Sequence, residues 1–257
     1  MPKSLTSLES HTVDIIEKRR KTQDARFRPL PTGVERVEDV IRQAVDYLGD
    51  RLAPMGFKAA PSRLTFSRKV GEITQVIALR ADGANLSGVS VRVTANALVR
   101  SSAYKRWTGE HGTKYATEYL WVRQLGYLSG HHEHFKWELA DPTTREGELS
   151  DLLSRIHSLA LPAFEAWADK HSICRAVFRR TEADRIDWLM EIALWCGNSD
   201  VAKSLAEQHL RLRPQDVPEF MSELARFRAD IAIGKPQGSP ASGAAFLAAR
   251  YKLAVTV

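Results

Sequence analysis

Ile73-Thr74-Gln75-Val76-Ile77-Ala78-Leu79, followed beyond Asp82-Gly83-Ala84-Asn85 by Val89-Ser90-Val91-Arg92-Val93-Thr94-Ala95, decides the fold. In the second run apolar and polar residues alternate with period two, as in a strand with one packed and one wet face. Leu64-Thr65-Phe66-Ser67-Arg68 alternates in the same way upstream and connects through the turn at Gly71-Glu72. Downstream, Tyr119-Leu120-Trp121-Val122-Arg123-Gln124-Leu125 and His134-Phe135-Lys136-Trp137-Glu138-Leu139 add two runs, joined across Gly126 to Gly130. Parallel strands need crossovers of about a dozen residues or more, so these short links predict antiparallel neighbours. The one long gap, Ser101 to Thr117, reads as a loop or short helix.

Helices flank this meander. Val37, Val40, Ile41, Ala44, Val45, Leu48 and Leu52 form one apolar stripe over about 35–53, and Pro54 and Gly56 stop it. Leu149, Leu152, Leu153, Ile156, Leu159, Phe164 and Trp167 mark a second amphipathic helix over about 146–170, with a kink or break expected at Pro162. A shorter helix is expected at 173–178, and three more within 181–231. Gly197-Asn198-Ser199-Asp200 and Arg213-Pro214-Gln215-Asp216 separate those three, each offering an acidic N-cap. With Gly197 at the turn, Ala202 in the second helix and Pro214 at the end, the first two resemble a single tetratricopeptide unit, although Ile186, Ala193 and Ala206 stand where it has large aromatic residues. Because such arrays need about three units or more, a hairpin packed on the main domain is expected.

The predicted class is therefore α+β: a five-stranded antiparallel sheet covered on one face by helices, followed by a C-terminal helical region. The expected organisation is a basic arm at 1–34, the α+β domain at 35–180, a helical annex at 181–233, and a linker and tail at 234–257. The linker reading rests on Gly234-Lys235-Pro236-Gln237-Gly238-Ser239-Pro240-Ala241-Ser242-Gly243.

Composition narrows the functional classes. The chain has 257 residues, 44% hydrophobic and 26% charged, a globular mix that excludes collagen-like and disordered readings. The formal charge is +6. Residues 1–34 hold seven bases (Lys3, Lys18, Arg19, Arg20, Lys21, Arg26, Arg28) against four acids (Glu9, Asp14, Glu17, Asp24), or +3, leaving +3 for the other 223. Phosphate binding scales with the number of charges neutralised, so the arm is a better nucleic-acid contact than the body. Cys174 and Cys196 stand alone among apolar neighbours and are expected to be reduced thiols. No secretory signal and no membrane span are read, so the expected location is cytoplasmic.

Two clusters carry chemistry. Tyr104-Lys105-Arg106-Trp107, with Arg100 before it and Lys114 and Tyr115 after, interleaves cations with aromatics. Such a segment can contact a protein, since Trp, Tyr and Arg dominate interface hot spots, or stack bases. The bland alternative is that Trp107 anchors the segment to the core. In His131-His132-Glu133-His134 a strand would place His132 and His134 on one face, with His111 as a candidate third ligand. The bland alternative there is a solvated polar turn. No nucleophile elbow, phosphate-cradling glycine loop or helical zinc motif occurs, and no cofactor is expected.

Leu52-Ala53-Pro54-Met55-Gly56-Phe57-Lys58, Phe66-Ser67-Arg68, Ile73-Thr74-Gln75-Val76-Ile77, Arg123-Gln124-Leu125-Gly126 and Leu161-Pro162-Ala163-Phe164 are the stretches by which residues 36–180 resemble an uncharacterised bacterial domain-of-unknown-function family. The resemblance covers a little over half of the chain. It implies a helix, an antiparallel meander and a closing helix, assigns no catalytic residue, and implies a partner-binding role by association. The expectation is a non-enzymatic protein-binding module, most concretely an immunity-type or adaptor protein that neutralises a bacterial toxin or effector. Its expected contacts are Arg100, Tyr104, Lys105, Arg106, Trp107, Lys114 and Tyr115. An RNA- or DNA-binding protein using the arm and the 104–115 segment is the alternative, and a metal-dependent hydrolase on His132 and His134 a weaker one.

Overall fold

The computed structural model describes residues 33–113, 117–131, 133–178, 185–230, 235–236 and 238–256, so most of the expected basic arm lies outside the described residues. Helix α1, Val37–Leu52, buries Val40, Ala44, Val45, Leu48 and Leu52 on one stripe. A short 3-10 turn over Ala53–Met55 ends it, with Gly56 in the left-handed region at φ +82°. Strands β1 (Lys58–Ala60), β2 (Thr65–Val70), β3 (Ile73–Ala81), β4 (Arg92–Arg100) and β5 (Tyr119–Gln124) lie side by side in chain order, every neighbouring pair antiparallel. Strand β6, Trp137–Glu138, pairs with Arg92 and Val93 of β4. All five expected runs contribute strands, but the last is shortened to Trp137–Glu138 and pairs with β4, not with β5 as its short link predicts, because Leu125–Leu128 forms a 3-10 turn after β5. Strand β1 is additional, because three residues are too few to show a period.

Alternation along β4 divides the sheet. Val93, Ala95, Ala97 and Val99 are buried, while Thr94, Asn96, Leu98 and Arg100 on the other face are half-exposed. Helix α1 sits close on the packed face: a Cβ at Gly49 would lie 3.6 Å from Ala59 Cβ and 3.9 Å from a ring carbon of Phe66. Helix α2, Ser102–His111, follows β4 and occupies the gap expected as a loop or short helix. Helix α3, Arg145–Arg155, continues through a π-helical turn at Ile156–Ala160 into α4, Leu161–Glu165. Pro162, which has no N–H, sits at the start of α4, so the wide turn takes the place of a break. Phe164 closes this layer onto the sheet: its carbonyl accepts a 3.2 Å bond from Gln75 Nε2, and its ring meets Trp121 edge-on at 6.3 Å. Arg68 Nε donates to Gln75 Oε1 at 2.7 Å, so the buried glutamine is satisfied on both sides.

A bulge in β5 accounts for two consecutive buried side chains. Arg100 faces Tyr119 but Val99 faces Trp121, leaving Leu120 as the extra residue. Leu120 and Trp121 therefore both reach the interior.

The C-terminal region comprises α5 (Lys170–Phe178), α6 (Ile186–Trp195), α7 (Ser199–Leu212), α8 (Val217–Ala229) and α9 (Pro240–Arg250). Asn198, not an acidic residue, caps α7, its side chain accepting from Val201 N at 3.0 Å. Asp216 makes no capping bond and instead accepts from His209 at 2.9 Å and pairs with Arg213 at 3.2 Å. Helix α9 corrects the linker and tail expected at 234–257. Every residue from Ala241 to Ala249 is buried. Its Gly, Ala and Ser residues, which resemble linker composition, let it pack closely on all sides. Gly243 marks the tightest approach, since a Cβ there would come within 2.7 Å of Asp187 Cβ.

Candidate interaction surface

The helical period separates what the sequence interleaves. Tyr104, expected as a partner contact, is fully buried, packed edge-on against Trp195 at 5.4 Å. It faces the core because positions 104, 107, 108 and 111 share the inner side of α2. Trp107 is half-buried, stacked between Tyr104 at 6.4 Å and Tyr251 at 6.2 Å. Lys105 and Arg106 point to solvent. The last carbonyls of α2 are bonded from the C-terminal region: Lys235 Nζ donates to Thr108 O and Gly109 O, and Arg250 to Glu110 O. Arg100 lies on the wet sheet face, paired with Glu118 at 3.1 Å. Lys114 and Tyr115 lie outside the described residues.

The wet sheet face was not singled out in the sequence. Cross-strand partners run Lys58–Ser67–Val76–Leu98–Val122 in one row, flanked by Ala60–Thr65–Ala78–Asn96–Gln124 on one side and Lys69–Thr74–Arg100–Tyr119 on the other. Arg80 and Thr94 pair one step further along. The aliphatic row opens towards β5: Val76 is 5% exposed, Leu98 half-buried and Val122 42% exposed, with Tyr119 beside it at 45%. Bases surround the row. Arg92 and Arg100 are matched by Glu138 and Glu118, whereas Lys58, Lys69 and Arg80 are exposed without an ion pair among the described residues. An aliphatic centre within a charged border is the anatomy of a protein-binding patch.

A second feature escaped the sequence reading. Asp187 and Glu191, one turn apart on α6, are both buried. Glu191 Oε1 accepts from Thr113 N and, at 2.8 Å, from Thr113 Oγ1. Asp187 Oδ1 meets Arg185 Nε at 3.3 Å, but Asp187 Oδ2 and Tyr104 Oη are buried without a hydrogen-bond partner among the described residues. Burial raises the Glu191 pKa and the negative charge of Asp187 adds to it, against the opposing bonds from Thr113 and the charge of Arg185. The Tyr104 phenol rises for the same reasons: burial first, then the Glu191 and Asp187 charges. A signal did exist. The run Ile186 to Trp195 is apolar except at these two positions, and a helix apolar on all sides is a buried one.

The histidine cluster takes another form. Strand β6 begins at Trp137, so His134 does not lie on a strand as expected. His134 Nε2 contacts the Tyr127 hydroxyl, the rings crossing at 78° with centroids 4.8 Å apart. His132 lies outside the described residues. Among the described residues no group of three or more His, Cys, Asp and Glu is arranged to hold a metal ion, and no helix is long and apolar enough to cross a membrane. Comparison with protein-family models, curated proteins and solved structures finds no match. The functional reading rests on geometry.

Proposed function

We propose that this chain is a non-enzymatic protein-binding module whose binding face is the side of the sheet opposite helix α1. The observation that carries the reading is the row Val76–Leu98–Val122 across three strands, with Tyr119 at its open end. Aliphatic side chains favour a protein over a nucleic acid, because single-stranded nucleic acid is held by aromatic platforms and this face offers Tyr119 alone. At about 4.8 Å between strands and 3.4 Å per residue, with every second residue on one face, five strands by four same-face rows cover roughly 650 Å². That falls short of the ~800 Å² per partner of a standard interface, so the contact extends past the sheet. Helix α2 leaves the sheet directly after Arg100 and brings Lys105 and Arg106 within about 8 Å of that corner along its axis. The finer reading, an immunity-type or adaptor protein that occludes a bacterial effector, comes from the sequence resemblance alone, for which no family model gives a match.

The test is co-purification of the tagged full chain from its own cells, alongside a folded Val122→Asp variant. The expected result is a protein identified by mass, retained by the parent chain, lost by the variant, and reconstituted with purified components at fixed stoichiometry. Nuclease-sensitive nucleic acid in its place, or equal retention by both chains, refutes the proposal.

A further inference from the structure

We infer that the partner's contacting surface is acidic, presenting carboxylates around an apolar strip; this rests on the reading of the sheet face given above. Lys69, Arg80 and Lys58 border the aliphatic row from three sides, and none has an ion-pair partner among the described residues. The other two bases of the face are already matched, Arg92 by Glu138 at 3.3 Å and Arg100 by Glu118 at 3.1 Å. The face therefore carries a net charge of about three positive units at its rim and none at its centre. Rim charges act on encounter and on discrimination between partners more than on final affinity. A basic partner meets unpaired like charges on three sides, whereas an acidic one is steered onto the apolar strip.

A random twelve-residue peptide library displayed on phage, selected at 50 mM salt on the immobilised full chain and counter-selected on Val122→Asp, tests this. Enriched peptides are expected to carry net negative charge with apolar residues at alternate positions. As free peptides they lose at least tenfold in affinity on Val122→Asp. They lose about two- to fivefold on each of Lys69→Glu and Arg80→Glu, the range for an exposed ion pair, and weaken again at 300 mM salt. Tyr119→Ser replaces Val122→Asp if circular dichroism shows that variant unfolded. Neutral or basic peptides, or affinities indifferent to the two charge reversals, overturn the acidic assignment and leave the binding face intact. Peptides that do not distinguish the parent chain from Val122→Asp overturn the binding face itself. Tighter, salt-dependent binding of a mixed-sequence RNA oligonucleotide, lost on Lys69→Glu, gives the face to nucleic acid. A concentration-dependent dimer that Val122→Asp abolishes gives it to a second copy of the chain.

Discussion

Replacing Glu191 by glutamine removes an ionisable carboxyl from a buried site that also holds Asp187, while keeping its shape. In the parent chain Oε1 accepts both bonds from Thr113, and glutamine retains an oxygen in that place. The new amide also supplies two N–H donors to a site where Asp187 Oδ2 and Tyr104 Oη lack partners among the described residues. The surrounding groups are Asp187 and Arg185 on and beside the same helix, Tyr104 and Thr113 from α2 and the residues after it, and Tyr251 from the end of α9. An unsatisfied buried group costs about 1–3 kcal/mol and a new hydrogen bond contributes about 1 kcal/mol, so Glu191→Gln should stabilise the fold by about 1–2 kcal/mol at pH 7.5. For a chain of this size that is about 2–6 °C in Tm. Because burial raises the Glu191 pKa above its ordinary value of 4.5, the folded state prefers the protonated acid. The parent chain's stability from this group is complete below 4.5 and declines as pH rises through the folded pKa. The gap between variant and parent should accordingly be small near pH 4 and widen towards neutrality. Urea unfolding at a series of pH values measures it. A variant less stable than the parent at pH 7.5, or a gap that does not change with pH, refutes the reasoning and means that the ionised carboxylate is favourably held.

Two further perturbations probe the scaffold. Arg145, nearly buried, bonds Glu35 at 2.5 Å, Gln43 at 2.7 Å and the Leu139 carbonyl at 2.7 Å, and holds the Glu35 carboxyl down at about 2. Arg145→Met should cost about 2–3 kcal/mol by unfolding, because it removes the centre of the network. Glu35→Gln, at a partly exposed position, should cost about 1 kcal/mol after solvent screening, present above pH 4.5 and lost as pH falls towards 2. Gly126→Ala should cost about 3 kcal/mol or more, since its Cβ would lie 1.6 Å from the Glu133 carbonyl oxygen and backbone must move; a melting temperature within 2 °C of the parent contradicts this.

Periodicity made the sheet legible because its strands carry their own signal. Val93, Ala95, Ala97 and Val99 alternate with Thr94, Asn96, Leu98 and Arg100, and burial follows that alternation residue by residue. Helix α1 was legible for the same reason, its apolar stripe and stop signals agreeing. Helix α9 was not, since Gly238, Pro240 and Gly243 have linker composition and a helix buried on every side has no stripe. Its start was nevertheless marked: Ser239 accepts from Ser242 N at 3.2 Å and Pro240 occupies the first turn, the usual cap and first-position pair. Strand β1 and the Leu120 bulge depend on pairing partners, which local sequence does not encode. The wet face belongs to the same class, because Val76, Leu98 and Val122 are 22 and 24 residues apart in sequence and meet only once register is set.

The aromatic-basic segment and the sheet face are alternative candidates for a binding surface, and helical geometry favours the sheet face. A hot spot needs exposed apolar area that association can bury. On α2 that area is already used within the fold, Tyr104 against Trp195 and Trp107 against Tyr251, which leaves Lys105 and Arg106 as exposed charge without an apolar centre. Leu86 and Val89 share one turn between β3 and β4, and Leu212 and Met221 are exposed on successive helices, too little apolar area to nucleate a standard interface. The outer face of β4 and β5 combines exposed aliphatic surface, a rigid sheet beneath it and unmatched charge around it. A partner that bound through α2 alone would have to unstack Trp107 from Tyr251, so its binding would loosen the C-terminal helix. Binding through the sheet requires no such rearrangement, and hydrogen exchange in 240–250 that stays unchanged on complex formation separates the two modes.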